Sequence, residues 1–253
     1  MLLIGAFASV ARAAEERPWI LGGPRASFTE PLVSERPSFS TSPDATPPGR
    51  INAELGFELG RNDRGEPESE RVRLPAALFR LGLLDRLEAR LGWSGYEARR
   101  VDGQEEDDFV GPMLGVKWQL NEGVGGWPRM GLLAEVVIPV ESGPDPDFLA
   151  GLAWRHGLSD AISLFGTSTV GVEGGELFVS THAAGLSWSF APAWSVYGEY
   201  DATVDENAHD THTLDAGLAW LLTPNVQLDL YGGAGLNAAA RDGFVGAGVA
   251  WRM

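Results

Sequence analysis

The sequence predicts an all-β fold, a transmembrane antiparallel up-and-down β-barrel of about 12 strands. Three observations predict it. Segments of roughly ten residues alternate in polarity from Ile51 onward, short and long connections alternate between them, and tryptophans recur at one end of the strands. After the N-terminus, no uninterrupted apolar stretch reaches the ~20 residues that a membrane-spanning helix needs. A protein that crosses the membrane with helices is therefore not expected.

The alternation is clearest in the first predicted strand. Ile51, Ala53, Leu55, Phe57 and Leu59 fall on one face, and the polar or small residues between them fall on the other. A lipid-facing side and a polar lumen explain both sets, although a soluble two-sheet sandwich would also alternate. The predicted strands are 51–60, 72–83, 86–96, 110–120, 129–139, 147–156, 161–172, 177–190, 193–203, 211–221, 226–237 and 243–253.

Connection lengths give a second, independent signal. The joins after the second, sixth, eighth and tenth strands are tight, whereas those after the first, third, fifth and ninth are longer and mostly acidic. Bacterial barrels have short periplasmic turns and longer outer loops. Both termini are therefore predicted in the periplasm, and the barrel in the bacterial outer membrane.

Charge follows the same division. The formal net charge of -16 argues against a nucleic-acid partner, and the predicted outer stretches hold most of the excess acid. We hypothesise that this acidic rim, which includes Glu105, Glu106, Asp107 and Asp108, binds divalent cations and shares them with lipopolysaccharide phosphates. The lipid bilayer and lipopolysaccharide are thus the predicted partners.

Aromatic residues give the third signal. Seven tryptophans map to the periplasmic ends of predicted strands, as expected for an interfacial girdle: Trp118, Trp127, Trp154, Trp188, Trp194, Trp220 and Trp251. Phe109, Phe148, Phe178 and Phe244 lie at the opposite ends and suggest an outer girdle. Phe109 and Phe244 are out of phase with the tryptophan on the same strand, so either a bulge or a lumenal side chain is expected there.

The chain divides into three parts. Residues 1–13 are predicted to be a signal peptide, with a short apolar core followed by Ala11-Arg12-Ala13 as the cleavage site. Residues 14–50 are predicted to be a Pro/Ser-rich periplasmic segment rather than strands, because proline removes ladder donors. This segment is expected to pack inside the barrel mouth. Residues 51–253 form the barrel. The chain has no cysteine, which excludes disulfides and Cys-based metal sites.

The strand phases also select charged residues that face the lumen. These candidates for the lining of a pore are Glu54, Glu58, Arg80, Arg86, Glu88, Arg90, Lys117, Glu135, Arg155, Glu199, Asp201, Asp215 and Asp229. They line a narrow polar pore or form a structural ion-pair network, and both interpretations stay open because buried charges are expensive unless paired. Glu135 and Asp229 are the acids expected to affect ion selectivity first.

A lipid hydrolase is a different class of function. Ser180 and His182 share a lipid-facing side of one strand, but a hydrolase needs the His to activate the Ser and a third group to orient the His. No third group is identifiable, so we predict that the chain is not an enzyme. His209 and His212 lie in an acidic loop, where solvation is favoured over weak metal binding, and neither a metal nor a cofactor is predicted.

Several segments resemble one bacterial family. They are Arg36–Pro43 leading to Pro48-Gly49-Arg50, Glu54–Glu58, Leu81–Glu88 with Leu91-Gly92-Trp93, Gly235–Asn237 and Asp242–Arg252. They resemble proteins described as outer-membrane transporters or as "meta-pathway of phenol degradation" proteins, over nearly the whole mature chain. The resemblance implies an outer-membrane barrel for uptake of aromatic or other small apolar compounds.

Together these observations predict a channel that passes small molecules across the outer membrane without a cofactor. A structural or surface-interaction barrel with a filled lumen is the alternative, and the lipid hydrolase is the third possibility.

Overall fold

The computed structural model describes residues 26–27, 30–62, 69–101, 104–109, 111–140, 145–175, 177–206 and 208–253. The predicted signal peptide lies outside these residues, and so do the side chains of Glu105, Glu106, Asp107 and Asp108. The described part of the chain is all-β. Its strands are β1 (Ile51–Asn62), β2 (Ser69–Leu84), β3 (Leu87–Trp93), β4 (Tyr96–Val101), β5 (Gln104–Phe109), β6 (Pro112–Gln119), β7 (Arg129–Val137), β8 (Asp147–Gly157), β9 (Ile162–Glu173), β10 (Leu177–Ala191), β11 (Trp194–Asp205), β12 (Thr211–Thr223), β13 (Val226–Gly235) and β14 (Gly243–Arg252).

The strands close into an antiparallel barrel. β1 pairs with β2 on one side and with β14 on the other, so the sheet returns to its own start. The wall consists of β1, β2, β3 and β6 to β14, which confirms the prediction of about twelve strands. In the part of the chain that the structure covers, no helix is long and apolar enough to cross a membrane.

The hairpin of β4 and β5 corrects the prediction that residues 97–108 form a loop. β4 continues β3 along the outer half of β2, and β5 pairs with β4 before the chain enters β6. The backbone of the hairpin pairs in register from Tyr96 opposite Phe109 to Val101 opposite Gln104. A segment whose acidic composition suggests a loop therefore folds as a hairpin.

The structure explains one of the two out-of-phase phenylalanines. Phe244 faces the lumen, where it is 5% exposed and packs against Phe39 and Tyr231. Phe109 is exposed, with its ring 5.1 Å from the Trp93 ring. Residue 110, which follows it, lies outside the described residues, so a bulge there stays a prediction.

The outside of the wall is an apolar belt. Leu230, Phe148 and Leu236 are 61%, 60% and 56% exposed, and similar side chains recur at alternate positions on neighbouring strands. A soluble protein rarely exposes such a continuous apolar surface, whereas acyl chains cover it in a membrane. Trp118, Trp127 and Trp188 are exposed at the inner end of this belt, and Trp194 stacks on Trp220 at 5.2 Å. A tryptophan girdle in the headgroup zone stays a prediction.

Residues 32–50 lie inside the barrel and are named the lumenal loop. The Leu32 amide bonds the carbonyl of Pro224 in an inner turn, the Phe39 ring lies 5.7 Å from Phe244 near the outer end of β14, and the Gly49 amide returns to Gly82 near the inner end of β2. The loop bonds inward-facing groups on β1, β2, β3, β6, β9, β11 and β13. A segment that contacts strands all around the barrel must lie in the lumen that those strands enclose.

Candidate functional site: the channel lumen

Glu35 of the lumenal loop is the centre of the largest charge cluster. Its two carboxylate oxygens each lie 2.7 Å from a guanidinium nitrogen of Arg90, and one of them lies 2.5 Å from the Nζ of Lys117. Lys117 also pairs with Glu88 at 3.1 Å, and Arg80 pairs with Glu54 at 2.9 Å. This group of inward residues on β1, β2, β3 and β6 is named the cationic wall. Its charges are buried and paired, which makes it an anchor for the loop.

The electrostatics of Glu35 follow from this arrangement. Burial alone would raise the pKa of the Glu35 carboxyl, but Arg90, Lys117 and Arg80 hold that pKa well below its usual value. The pKa of Asp44 is lowered in the same way: burial would raise it, but the charges of Arg155 and Arg129 outweigh the effect of burial. Both loop carboxylates are therefore charged at neutral pH and pair with basic side chains of the barrel strands.

Arg36 forms a second anchor, over the strands β1, β14 and β13. Its guanidinium makes two hydrogen bonds to Asp229, at 3.1 and 2.9 Å. It lies on the bare backbone of Gly56 and Gly248, which are ladder partners on β1 and β14, and a Cβ at either position would collide with it. The cross-strand glycine pair thus provides the space in which an arginine of the loop reaches Asp229.

The apex of the loop is held by uncharged donors. The Phe39 amide donates to Glu199 at 2.7 Å, the Ser40 amide donates to the same carboxylate at 3.1 Å, and the Ser40 hydroxyl bonds it as well. The Thr41 amide donates to the hydroxyl of Thr167 at 2.8 Å. Glu199 therefore has donors for both oxygens without a neighbouring cation.

Asp201 and Asp215 are arranged differently. They are 9% and 3% exposed, yet Asp201 Oδ2 and Asp215 Oδ1 have no hydrogen-bond donor in the structure. Among the described residues, neither carboxylate takes part in an ion pair, and Asp215 has the Tyr197 hydroxyl as donor to its other oxygen. These residues and Glu199 lie on the inward faces of β11 and β12, here named the acidic wall.

The structure places the predicted pore-lining residues in several different environments. Arg155 lies at the inner mouth, 3.8 Å from Asp44, and Glu58 pairs with Arg241 and accepts a bond from Tyr231. Glu135 and Asp229, the acids expected to affect ion selectivity first, are bound by Arg90 at 2.7 Å and by Arg36. Their partners could not be foreseen because the cations come from distant parts of the chain.

Arg86 is a correction to the set. It occupies the inner turn between β2 and β3, where its side chain is 48% exposed and pairs with Glu122 of the next inner turn at 3.3 Å. The alternation of a strand stops at a turn, so its phase does not predict the direction of Arg86. The residue belongs to the rim at the inner turns rather than to the wall of the lumen.

Sequence reasoning missed the residues that come from outside the strands. Glu35, Arg36 and Asp44 belong to the lumenal loop, and Arg241 precedes β14. No strand periodicity marks such residues. The inward glycines Gly56 and Gly248 were the available signal, since bare backbone inside a barrel marks a close approach by another segment.

The predicted lipid-facing pair does not form. Ser180 is 8% exposed, and the Nδ1 of His182 lies 3.1 Å from the hydroxyl of Ser168 on β9. His212 lies on β12, with its Nδ1 2.6 Å from the hydroxyl of Tyr200. Within the described residues, no cluster of three or more His, Asp or Glu side chains could hold a metal ion.

Two cavities lie inside the barrel, one on each side of the lumenal loop. The inner cavity has a volume of about 410 Å³ and is rich in serine, including Ser163, Ser187 and Ser195. The outer cavity has a volume of about 370 Å³ and combines the apolar side chains of Leu78 and Met113 with charged residues. Residues 35–36, 38 and 40–41 line both cavities, so the loop is the partition between them.

A closed twelve-stranded wall, an apolar outer belt and a charged lumen define an outer-membrane β-barrel. The chain belongs to the family described as "MetA-pathway of phenol degradation", whose model matches residues 34–253. No curated protein matches the chain.

Solved structures show the same fold at low sequence identity. An outer membrane channel from Pseudomonas putida F1 superposes with a TM-score of 0.64 at 12% identity, over 86% of this chain and 100% of that one. The NanC porin gives 0.53 at 9% identity, over 80% and 100%. The translocator domain of the autotransporter NalP from Neisseria meningitidis gives 0.51 at 11%, over 81% and 88%. Barrels with different tasks share this architecture, so function has to be argued from the lumen.

Proposed function

We propose that this protein is an outer-membrane channel for small molecules and that aromatic or other small apolar compounds are its solutes. The observation that carries the proposal is the pair of cavities separated only by the lumenal loop. An apolar cavity of about 150 Å³ already holds benzene, so either space accommodates a single aromatic ring. The family description, which concerns phenol degradation, supports the same class of solute.

Passage requires the loop to shift, because its apex closes the direct path between the cavities. The chain has no cysteine, so an introduced pair can lock the loop. Thr41 and Thr167 are suited to this, since the Thr41 amide and the Thr167 hydroxyl are 2.8 Å apart. The matched control is Thr181 and Thr203, whose hydroxyls are 3.2 Å apart on adjacent wall strands.

The test combines single-channel recording with liposome swelling in phenolic, sugar and fatty-acid solutes. We expect T41C/T167C to lose conductance and flux when oxidised and to regain both on reduction, while T181C/T203C conducts in both states. No current and no swelling with the unmodified protein would remove the channel proposal and leave the filled, structural barrel. Full conductance of the oxidised T41C/T167C variant would show that the solute path bypasses the loop.

The lipid hydrolase is the less supported class. His182 bonds Ser168 rather than Ser180, and the backbone amides around both serines are engaged in strand ladders, so they are not free to stabilise an oxyanion. A phospholipase assay that compares the unmodified protein with Ser168→Ala and Ser180→Ala tests this. Activity that either substitution abolishes would reinstate the enzyme.

Lipopolysaccharide binding at the acidic outer rim is also a proposal. The sequence of that rim suggests shared divalent cations. Neutral substitutions at Glu105, Glu106, Asp107 and Asp108 are expected to change the EDTA sensitivity of cells that carry the protein. Unchanged sensitivity would count against the idea.

A further inference from the structure

The acidic wall belongs to a part of the barrel whose basic residues are all histidines. Between Arg155 and Arg241 the chain holds no lysine or arginine, although it holds ten aspartates and glutamates. That stretch includes β9 to β13, nearly half of the wall. Two of its lumenal acids are satisfied by the loop, because Arg36 binds Asp229 and backbone amides bind Glu199. Asp201 and Asp215 receive neither kind of partner.

These two carboxylates share one side of the lumen. Asp215 is the ladder partner of Glu199, and Asp201 lies two residues further along β11, so all three point inward from neighbouring positions. Asp201 Oδ2 and Asp215 Oδ1 are buried and have no hydrogen-bond donor among the described residues. A buried carboxylate without a donor or a cation is unfavourable by several kcal/mol, on the order of the desolvation penalty of an ion. An incoming cation would offset that penalty.

An aromatic ring lies next to Asp215. A Cβ added to Gly233 would lie 2.5 Å from the Phe244 ring and 2.7 Å from the Cβ of Asp215, so the ring and the acid flank the same bare backbone. The Phe39 ring packs edge-on against Phe244 at 5.7 Å and is 42% exposed to the lumen. The site therefore offers an apolar surface beside two hydrogen-bond acceptors.

We propose that, when the lumenal loop shifts to let a solute pass, Asp201 and Asp215 bind the ammonium group of a small organic cation whose aromatic ring packs on Phe39 and Phe244. An ammonium group has three donors and no acceptor, which matches uncovered carboxylate oxygens, and aromatic faces attract cations. A hard metal ion would need more oxygen ligands than this wall provides. The proposal names a solute class for the proposed channel and rests on that function.

Acidic residues at the outer mouth of the barrel also favour the entry of cations. Asp147, Glu173, Asp205 and Asp210 lie at the outer ends of β8, β9, β11 and β12, on the side of the barrel that holds Asp201 and Asp215. A mouth and wall of one sign raise the local concentration of counter-ions. Cations would therefore be concentrated above the site before they reach it.

The test is calorimetric titration of the purified, full-length barrel in detergent at pH 7 with 2-phenylethylammonium. Neutral 2-phenylethanol and anionic 3-phenylpropanoate serve as ligands of matched shape. We expect the ammonium to bind more tightly than either, and Asp201→Asn/Asp215→Asn to weaken its binding about tenfold or more, as loss of charged hydrogen bonds predicts. Glu135→Gln removes one charge from the opposite side of the lumen, the same change in charge as the single Asp201→Asn variant, and is expected to leave affinity within about twofold.

Equal binding of the three ligands, or equal weakening by Glu135→Gln, would overturn the proposal. If the double variant fails the heat-shift gel that reports a folded barrel, the single Asp201→Asn variant and the three-ligand comparison still decide. Liposome swelling separates this proposal from the channel itself. Flux that ignores solute charge, without ammonium binding, removes the site alone, whereas binding without any flux removes the channel alone.

Discussion

The cationic wall and the acidic wall face each other across one lumen, and they treat buried charge in opposite ways. On the cationic wall, Arg80, Arg90 and Lys117 each contact more than one carboxylate, and Glu35 of the lumenal loop joins all three. On the acidic wall, Asp201 and Asp215 keep oxygens without any donor. Charges that are engaged by one another in this way have little to offer a solute, so the cationic wall serves as a structural anchor. A wall whose carboxylate oxygens have no hydrogen-bond donor can bind a solute that enters the lumen.

The largest expected effect is on the anchor. Glu35→Ala removes the shortest contact of Lys117 and two of the contacts of Arg90, and breaking one partner of a buried ion pair typically costs about 3–5 kcal/mol. The free energy of unfolding, measured by urea titration in lipid vesicles, is expected to fall by that amount. A single cysteine at Ser38 should also react faster with a water-soluble maleimide, because the loop loosens.

Glu35→Gln is the control for charge, since it keeps the shape and part of the hydrogen bonding and should lose less stability than Glu35→Ala. Unchanged stability and labelling in Glu35→Ala would mean that the comparison of the two walls is mistaken.

A smaller effect is expected from acid. The folded-state pKa of Glu35 is held below its usual value of about 4.3, so the unfolded chain takes up the proton first. The contribution of the ion pairs is thus complete above that value and is lost as the pH falls through the lower, folded pKa. Unfolding free energies between neutral pH and about pH 3 should therefore decline less steeply in Glu35→Gln than in the unmodified protein. Parallel curves would exclude Glu35 as the source.

The sequence predicts the direction of the lumenal side chains in both walls but not their partners. Alternation along a strand is a property of the backbone, so the inward direction of Glu54, Glu88 or Asp215 follows from the local sequence alone. The pairing of Asp229 with Arg36 joins residues 193 positions apart and exists only after the barrel closes around the loop. The acids without partners could likewise be identified only after the others had found theirs.

The glycine pair under Arg36 tests whether bare backbone positions the second anchor. Gly248→Val would push the guanidinium away from Asp229 and leave a buried carboxylate with weaker bonds, which is expected to cost about 1–3 kcal/mol. Combining it with Arg36→Ala should add little, because both changes remove the same contact. Gly198→Ala is the matched control, since the nearest atom to a Cβ there is a backbone oxygen at 4.0 Å. Additive losses would show that Gly248 supports something other than Arg36.

The smallest effect is expected at the inner rim, where Arg86 and Glu122 form an ion pair of the same chemistry at 3.3 Å, with both side chains 48% exposed. Solvent screens such a pair, so Arg86→Ala should change the free energy of unfolding by about 0–1 kcal/mol, and 1 M salt should abolish what remains because the screening length there is about 3 Å. The variant should also leave ion selectivity unchanged, since the guanidinium lies outside the lumen. A shift in the reversal potential of Arg86→Ala would return the residue to the lining of the pore. A loss of stability comparable to that of Glu35→Ala would mean that burial is not what separates an anchoring ion pair from an incidental one.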